Sequence, residues 1–360
     1  MQRTTRGSNL DRLSDSQVAP AVKFGQRIRR WSGIVLQTCV WFAWLVAWLW
    51  TCAALWLFKP LSEGGAHVAA LVWAGITLAA FVSLPVRRVF WVMVGGVVLI
   101  ASIWCQQRPS NDHPWIPAQA KLPEIAWDGD RVVINNVRCA TYRSEDDYDV
   151  AWSRRTYDLG QLESVDFVMV PFPNSQAMAH VFVSFGFRDG EHLAISPEAR
   201  REQGEAYSPL RGMFRHFPLM YVIGEESDLI GMRANVRRLP VYVYPVKARQ
   251  DQVRGLFRSM LDRAAGLGES PDYYHTLTNA CSTNLLWYLN QVRQSPVPWN
   301  WRVLLCGFSD EMAVELGLID FEGSSEEARR RFCIQGKTLP WTTGPAWSRQ
   351  IRATDGKAGR

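Results

Sequence analysis

Charge is what the first third of this 360-residue chain lacks. From Trp31 to Phe58 there is no Asp, Glu, Lys or Arg, and the same holds from His67 to Leu84 and from Phe90 to Cys105. A soluble helix cannot do without charge for so long, whereas a helix crossing the hydrocarbon core needs about 17–25 apolar residues. The reading is three spans, at about 31–58, 67–86 and 89–105. The first run is too long and too far from Met1 for a cleaved signal peptide. No basic stripe with interleaved aromatics is present, so nucleic acid is not an expected partner. None of the seven cysteines forms a pair with zinc-ligand spacing, and neither a metal nor a cofactor is expected. No repeat or low-complexity segment appears.

What is present completes the topology. Arg3, Arg6, Arg12, Lys23, Arg27, Arg29 and Arg30 precede the first span, and Arg87 with Arg88 separates the second from the third. The opposite loop holds only Lys59 against Glu63. The excess of basic residues puts the N-terminus in the cytoplasm and everything after Cys105 outside it. The tail, residues 1–30, is expected to meet anionic lipid heads. Pro109, Pro114, Pro117 and Pro123 suggest an extended stalk over 106–126. A domain follows over 127–300, then a C-terminal extension over 301–345, with 346–360 expected to be disordered.

In the domain, RVVINNV (131–137), VDFVMVPF (165–172), AHVFVSFGF (179–187), EHLAIS (191–196), LMYVIG (219–224) and VYVYPV (241–246) read as strands. Arg188-Asp189-Gly190 reads as a hairpin turn. Glu198 to Glu205 reads as a charged helix. Val253, Leu256, Phe257, Met260 and Leu261 recur at helical spacing within 250–265, and another helix starts at Cys281. The expected class is a three-helix transmembrane region followed by an α+β extracytoplasmic domain, an antiparallel sheet packed on a cysteine-bearing helix.

Cys281 opens that helix among Asn279, Ser282, Thr283 and Asn284. A thiol there meets the positive end of the helix dipole, which favours thiolate and suits a nucleophile. The alternative is a small buried residue in a cap. A nucleophile needs a base, and among the histidines His180 sits on a strand, which holds an imidazole rigidly. The competing role is a histidine at a sheet edge. With the Asp-Gly turn as the hairpin loop, His180 falls opposite Glu198, or opposite Pro197 or Ala199 if the register slips by one. Glu198 would then orient the imidazole, or else begin a solvated helix and pair with Arg201. Cys306 and Cys333 are candidates for a disulfide.

The blocks NVRCATYRSEDDYDVAW (136–152), AHVFVSFGFRDGEHLAISPEARREQGEAYSPLRGMFRHF (179–217), MYVIGEESDLIGMRANVRR (220–238), VYVYP (241–245) and YHTLTNACSTNLL (274–286) occur in an order that resembles the DUF4105 family, also described as the Lnb N-terminal periplasmic domain. The resemblance runs from about Val133 to Gln291. It implies a circularly permuted papain-like thiol fold, with the histidine strand before the cysteine helix, in the cytoplasmic membrane of a bacterium. The family usually has two asparagines before the cysteine, and here Asn279-Ala280 precedes Cys281. The implied activity is acyl transfer on a membrane lipid or lipoprotein, with Cys281 as nucleophile, His180 as base and Glu198 orienting it. Asn279, Arg200, Arg201 and Arg233 are the expected substrate-binding residues. Hydrolysis of cell-wall peptide by the same thiol, or membrane-tethered binding without catalysis, are the rival expectations.

Overall fold

The computed structural model describes residues 12–353, which divide into two compact units at 106/107. The first consists of α1 (Arg12–Trp56), α2 (Glu63–Ser83) and α3 (Val86–Cys105). Each holds a segment long and apolar enough to cross a membrane, the first being Ile34–Trp56. Apolar surface contributes little to association between helices in lipid, so contact depends on small residues and polar links. Trp73 Nε1 donates to Thr51 Oγ1 and Trp48 Nε1 to Thr77 Oγ1, each at 2.9 Å. Gly96 leaves room for the Trp73 ring, where a Cβ would collide with it. Arg3 and Arg6 of the expected lipid-binding tail lie outside the described residues.

The second unit carries β1 (Glu124–Asp128), β2 (Arg131–Tyr142), β3 (Tyr148–Asp158), β4 (Leu162–Phe172), β5 (Ser175–Phe187), β6 (His192–Ala199), β7 (Leu219–Glu225) and β8 (Tyr242–Pro245). Its helices are α4 (Pro209–Gly212), α5 (Glu226–Gly231), α6 (Gln250–Glu269), α7 (Cys281–Val292), α8 (Trp301–Leu304), α9 (Ser309–Glu315), α10 (Ser325–Phe332) and α11 (Pro345–Arg352). The sheet order is β1-β2-β7-β6-β5-β4-β8, with β3 also on β2. Neighbours are antiparallel except β2 and β7, which run parallel and meet at Arg138 and Gly224. A side chain at Gly224 would strike the Arg138 carbonyl, so glycine permits that contact.

Strand alternation sorts the core onto the two faces of the sheet. Val183, Phe185, Phe187, Ile195 and Tyr221 pack against Val253, Phe257, Met260 and Leu261 of α6 and Tyr288 of α7. Phe182, Ala194, Met220 and Val222 face Leu229 and Ile230 of α5 and Trp347 and Ile351 of α11. A third cluster joins Ala179, Val181 and Tyr244 to Cys281, Cys306 and Ala313.

Several expectations need correction. Residues 107–126 are not a free stalk. Trp115 and Gln119 are buried, Ile116 N–H bonds to the Arg201 carbonyl, and Glu124–Asp128 is a strand of the sheet. Proline ruled out helix there but not docking. Glu198 and Ala199 start no helix; they continue β6 and pair with Met220 and Leu219. The end is ordered further than its composition suggested, since Trp347 in α11 is fully buried and Arg352 joins Asp166 and Glu226. Residues 354–360 lie outside the described part. Cys306 and Cys333 are both free thiols, and Cys306 lies with Cys281 in the third core cluster.

Candidate functional site

The ladder between β5 and β6 holds only from Val183 and Ile195 to Gly186 and His192, in the register that the Asp-Gly turn implied. Beyond it the strands part. β5 continues on β4 as far as Ser175, and β6 continues on β7 as far as Ala199. The split opens a cavity of about 510 Å³ lined by His180 on one strand, Pro197 and Glu198 on the other, and Cys281, Ser282 and Cys306.

Cys281 is the first residue of α7 and 6% exposed. The turn before it is tightly held. Thr283 Oγ1 accepts from Ala280 N–H at 2.8 Å, and Asn284 Nδ2 donates to Asn279 Oδ1 and to the Ala280 carbonyl. Asn279 Nδ2 donates to Asp272 and to the Tyr273 carbonyl. Asn279 therefore shapes the loop and does not line the cavity. Cys306 begins a short turn, Cys306–Phe308, laid on β5, and its thiol donates to the Ala179 carbonyl at 2.8 Å. Gly307 allows this approach, because a Cβ there would overlap the Gln176 carbonyl.

The two sulfurs titrate together. With the Cys281 S–H donating, Cys306 is pushed down to about 7, while that same bond and complete burial push Cys281 up. The sequence expectation of a lowered Cys281 omitted this neighbour. The backbone at Val181 and Ser282 and the start of α7 still favour negative charge at Cys281, so the pair releases its first proton readily and its second with difficulty.

On the other side of the split lies a polar chain. His180 Nε2 is 2.7 Å from Ser196 Oγ, and Ser196 Oγ donates to Glu198 Oε1 at 3.1 Å. Since the hydroxyl proton goes to Glu198, Ser196 accepts from Nε2–H, and the other nitrogen, Nδ1, keeps the lone pair. His180 and Glu198 are 3.8 Å apart, so the serine makes the link. Glu198 also receives Arg233 Nη2 and Gln119 Nε2, each at 3.0 Å. Burial would raise its pKa, but Arg233, Arg138 and the Gln119 hydrogen bond hold it well below the usual carboxylate range. Burial, helped by Arg233, pushes His180 down to about 3, so the imidazole is neutral. No hydrogen bond joins it to Cys281 among the described residues.

The arginines divide. Arg200 is buried over the Trp115 ring and donates to the Gln119 and Ala120 carbonyls and to Asn111, so it ties down the N-terminal segment and is unavailable to a substrate. Arg233 supports Glu198. Arg201 lines the cavity. Sequence reasoning missed Ser196, Gln119 and Cys306. Ser196 lies two residues before Glu198 on the same strand face, a signal that was readable; Gln119 and Cys306 arrive from 79 and 25 residues away in sequence and left none. Elsewhere, Asp166, His192 and Glu226 bring donor atoms within 4.8 Å of one another, but Arg352 bridges both carboxylates.

Fold and site thus define a protein with three apolar membrane helices and an α+β domain that holds a thiol pair and a buried His-Ser-Glu chain around one cavity. Residues 148–307 match the family model described as the Lnb N-terminal periplasmic domain. That match supports the family and, with the helices, a membrane protein with a periplasmic domain. No curated protein and no solved structure matches the chain.

Proposed function

We propose that this protein is a thiol acyltransferase of papain-like, circularly permuted arrangement, anchored in the bacterial cytoplasmic membrane with its N-terminus inside. The observation that carries this reading is the thiol at the head of α7 and the oriented neutral imidazole lining one cavity. His180 Nδ1 takes the proton from Cys281, and the sulfur attacks the ester carbonyl of a membrane lipid or lipoprotein. Backbone N–H groups at the start of α7 receive the oxyanion. Collapse forms the thioester and expels the alkoxide, which takes the proton from the imidazolium. An amine then attacks the thioester, loses a proton to His180, and the thiol is restored. With a conjugate acid near 3, Nδ1 holds no proton at rest, so proton transfer accompanies attack. With a cell-wall peptide amide as donor and water in place of the amine, the same site would be an amidase or peptidase.

The test is mass spectrometry of the full chain in membranes with a fluorophosphonate or fluoroacyl lipid. Label on Cys281, lost in Cys281→Ser and in a folded His180→Ala, is expected. Equal labelling of Cys281→Ser, or none of the wild type, removes the nucleophile and leaves a tethered binding protein as the reading.

A further inference from the structure

Resting on the acyl-transfer reading, we infer that the acyl donor is a phosphate-bearing glycerolipid, its anionic group held by Arg201. Three arginines line the cavity, and two are already neutralised. Arg233 pairs with Glu198 at 3.0 Å and Arg237 with Glu145 at 2.8 Å. His180 is uncharged. Among the described residues no carboxylate, hydrogen-bond acceptor or ring meets the Arg201 guanidinium, so it is the one cavity arginine without a carboxylate partner. Its main chain is held at the cavity wall, because Arg201 N–H donates to Gln119 Oε1 at 2.7 Å and its carbonyl accepts from Ile116. The same Gln119 donates to Glu198, which ties the cation to the imidazole chain.

An unpaired guanidinium in a partly buried cavity suits a phosphate or a carboxylate. A second feature selects the lipid. Behind Ser282, which also lines the first cavity, an apolar hollow of about 110 Å³ runs between Leu285, Leu286 and Leu289 of α7 and Val181 of β5. A hollow lined by apolar side chains apart from Ser282 and Ser309 favours hydrocarbon over water. Charge on one side of the thiol and hydrocarbon space on the other match a glycerophospholipid ester. A diacylglyceryl ester without phosphate leaves Arg201 unmatched, and a wall peptide leaves the hollow unfilled.

Two assays on the full chain in phosphate-free detergent separate this inference from the chemistry. In the first, iodoacetamide alkylation of Cys281 is followed by mass spectrometry with glycerol 3-phosphate, glycerol or inorganic phosphate added. Glycerol 3-phosphate is expected to slow alkylation, glycerol is not, and Arg201→Gln should weaken the protection roughly tenfold, with partial rescue by Arg201→Lys. Equal protection in Arg201→Gln, or equal protection by inorganic phosphate, overturns the lipid subsite. In the second, thioester on Cys281 is measured with phosphatidylglycerol and with diacylglycerol of the same chains. A preference of roughly tenfold or more for phosphatidylglycerol, lost in Arg201→Gln, is expected. Equal rates overturn the inference and leave the nucleophile standing. Protection without thioester from either donor keeps the anion subsite and removes acyl transfer.

Discussion

Arg352→Ala measures how firmly the C-terminal helix belongs to the domain. The guanidinium meets Asp166 Oδ2 at 2.6 Å and Glu226 Oε1 at 2.5 Å, and Ser184 Oγ donates to the same Glu226 oxygen at 2.5 Å. Burial alone would raise the Glu226 carboxyl, but Arg352 and the Ser184 hydrogen bond bring it down to about 2 from an ordinary value of 4.5. That difference corresponds to roughly 3 kcal/mol at 1.36 kcal/mol per pH unit. Breaking a buried ion pair typically costs about 3–5 kcal/mol. At about 2–4 °C per kcal/mol for a domain of this size, the domain's calorimetric transition should fall by about 6–20 °C at pH 7. The pH dependence gives the sharper test. In the wild type the folded carboxyl titrates below the unfolded one, so its stabilisation is complete above about 4.5 and is lost as pH falls through about 2. In the variant burial dominates and the folded carboxyl titrates above the unfolded one, so the variant loses stability as pH rises above about 4.5. The gap between the two proteins should therefore widen from pH 5 to pH 8. A shift under about 3 °C, or a gap independent of pH, would refute the argument.

The remaining tests concern the site and the topology. Ser196→Ala should release the Nε2 tautomer of His180 and slow acylation of Cys281 by roughly 10- to 100-fold with little change in unfolding temperature, and Ser196→Thr should recover most of it; an unaffected rate removes the serine from the relay. The wild-type profile of Cys281 alkylation against pH should rise only above the ordinary thiol range, because Cys306 takes the first ionisation of the pair, and should show no separate histidine step between 6 and 7. Cys306→Ala should move that rise to lower pH, because Cys281 loses the hydrogen bond to Cys306 that holds its proton in place; an unchanged midpoint would show that the sulfurs do not share a proton. A reporter that works only outside the cytoplasm, fused after Arg360, is expected to be active, and inactivity would overturn the three-span topology.

Legibility in the sequence followed the range of the physics. Patterns of period two and period 3.6 are local, so the strands around His180 and the buried face of α6 could be read directly, and the Asp-Gly turn set the β5–β6 register. Burial was less legible where proline or charge misled. Segment 107–126 and helix α11 look solvent-facing in composition, yet each docks through a buried tryptophan and an arginine, Trp115 with Arg200 and Trp347 with Arg352. The site itself is the least local feature. It exists because β5 and β6 are parted on the N-terminal side of Val183 and the C-terminal side of Ile195, and no residue in either strand signals where a ladder ends. That opening shapes the site: strand alternation sends His180 toward Ser196 and Phe182 while Ala179 and Val181 pack with the thiols, so imidazole and sulfur share a cavity where the strands part. A substrate carbonyl seated in the gap would be reached by the sulfur once His180 has taken its proton, and filling the split with a bulkier residue, as in Ala199→Phe, should block acylation while leaving the His180-Ser196-Glu198 chain intact.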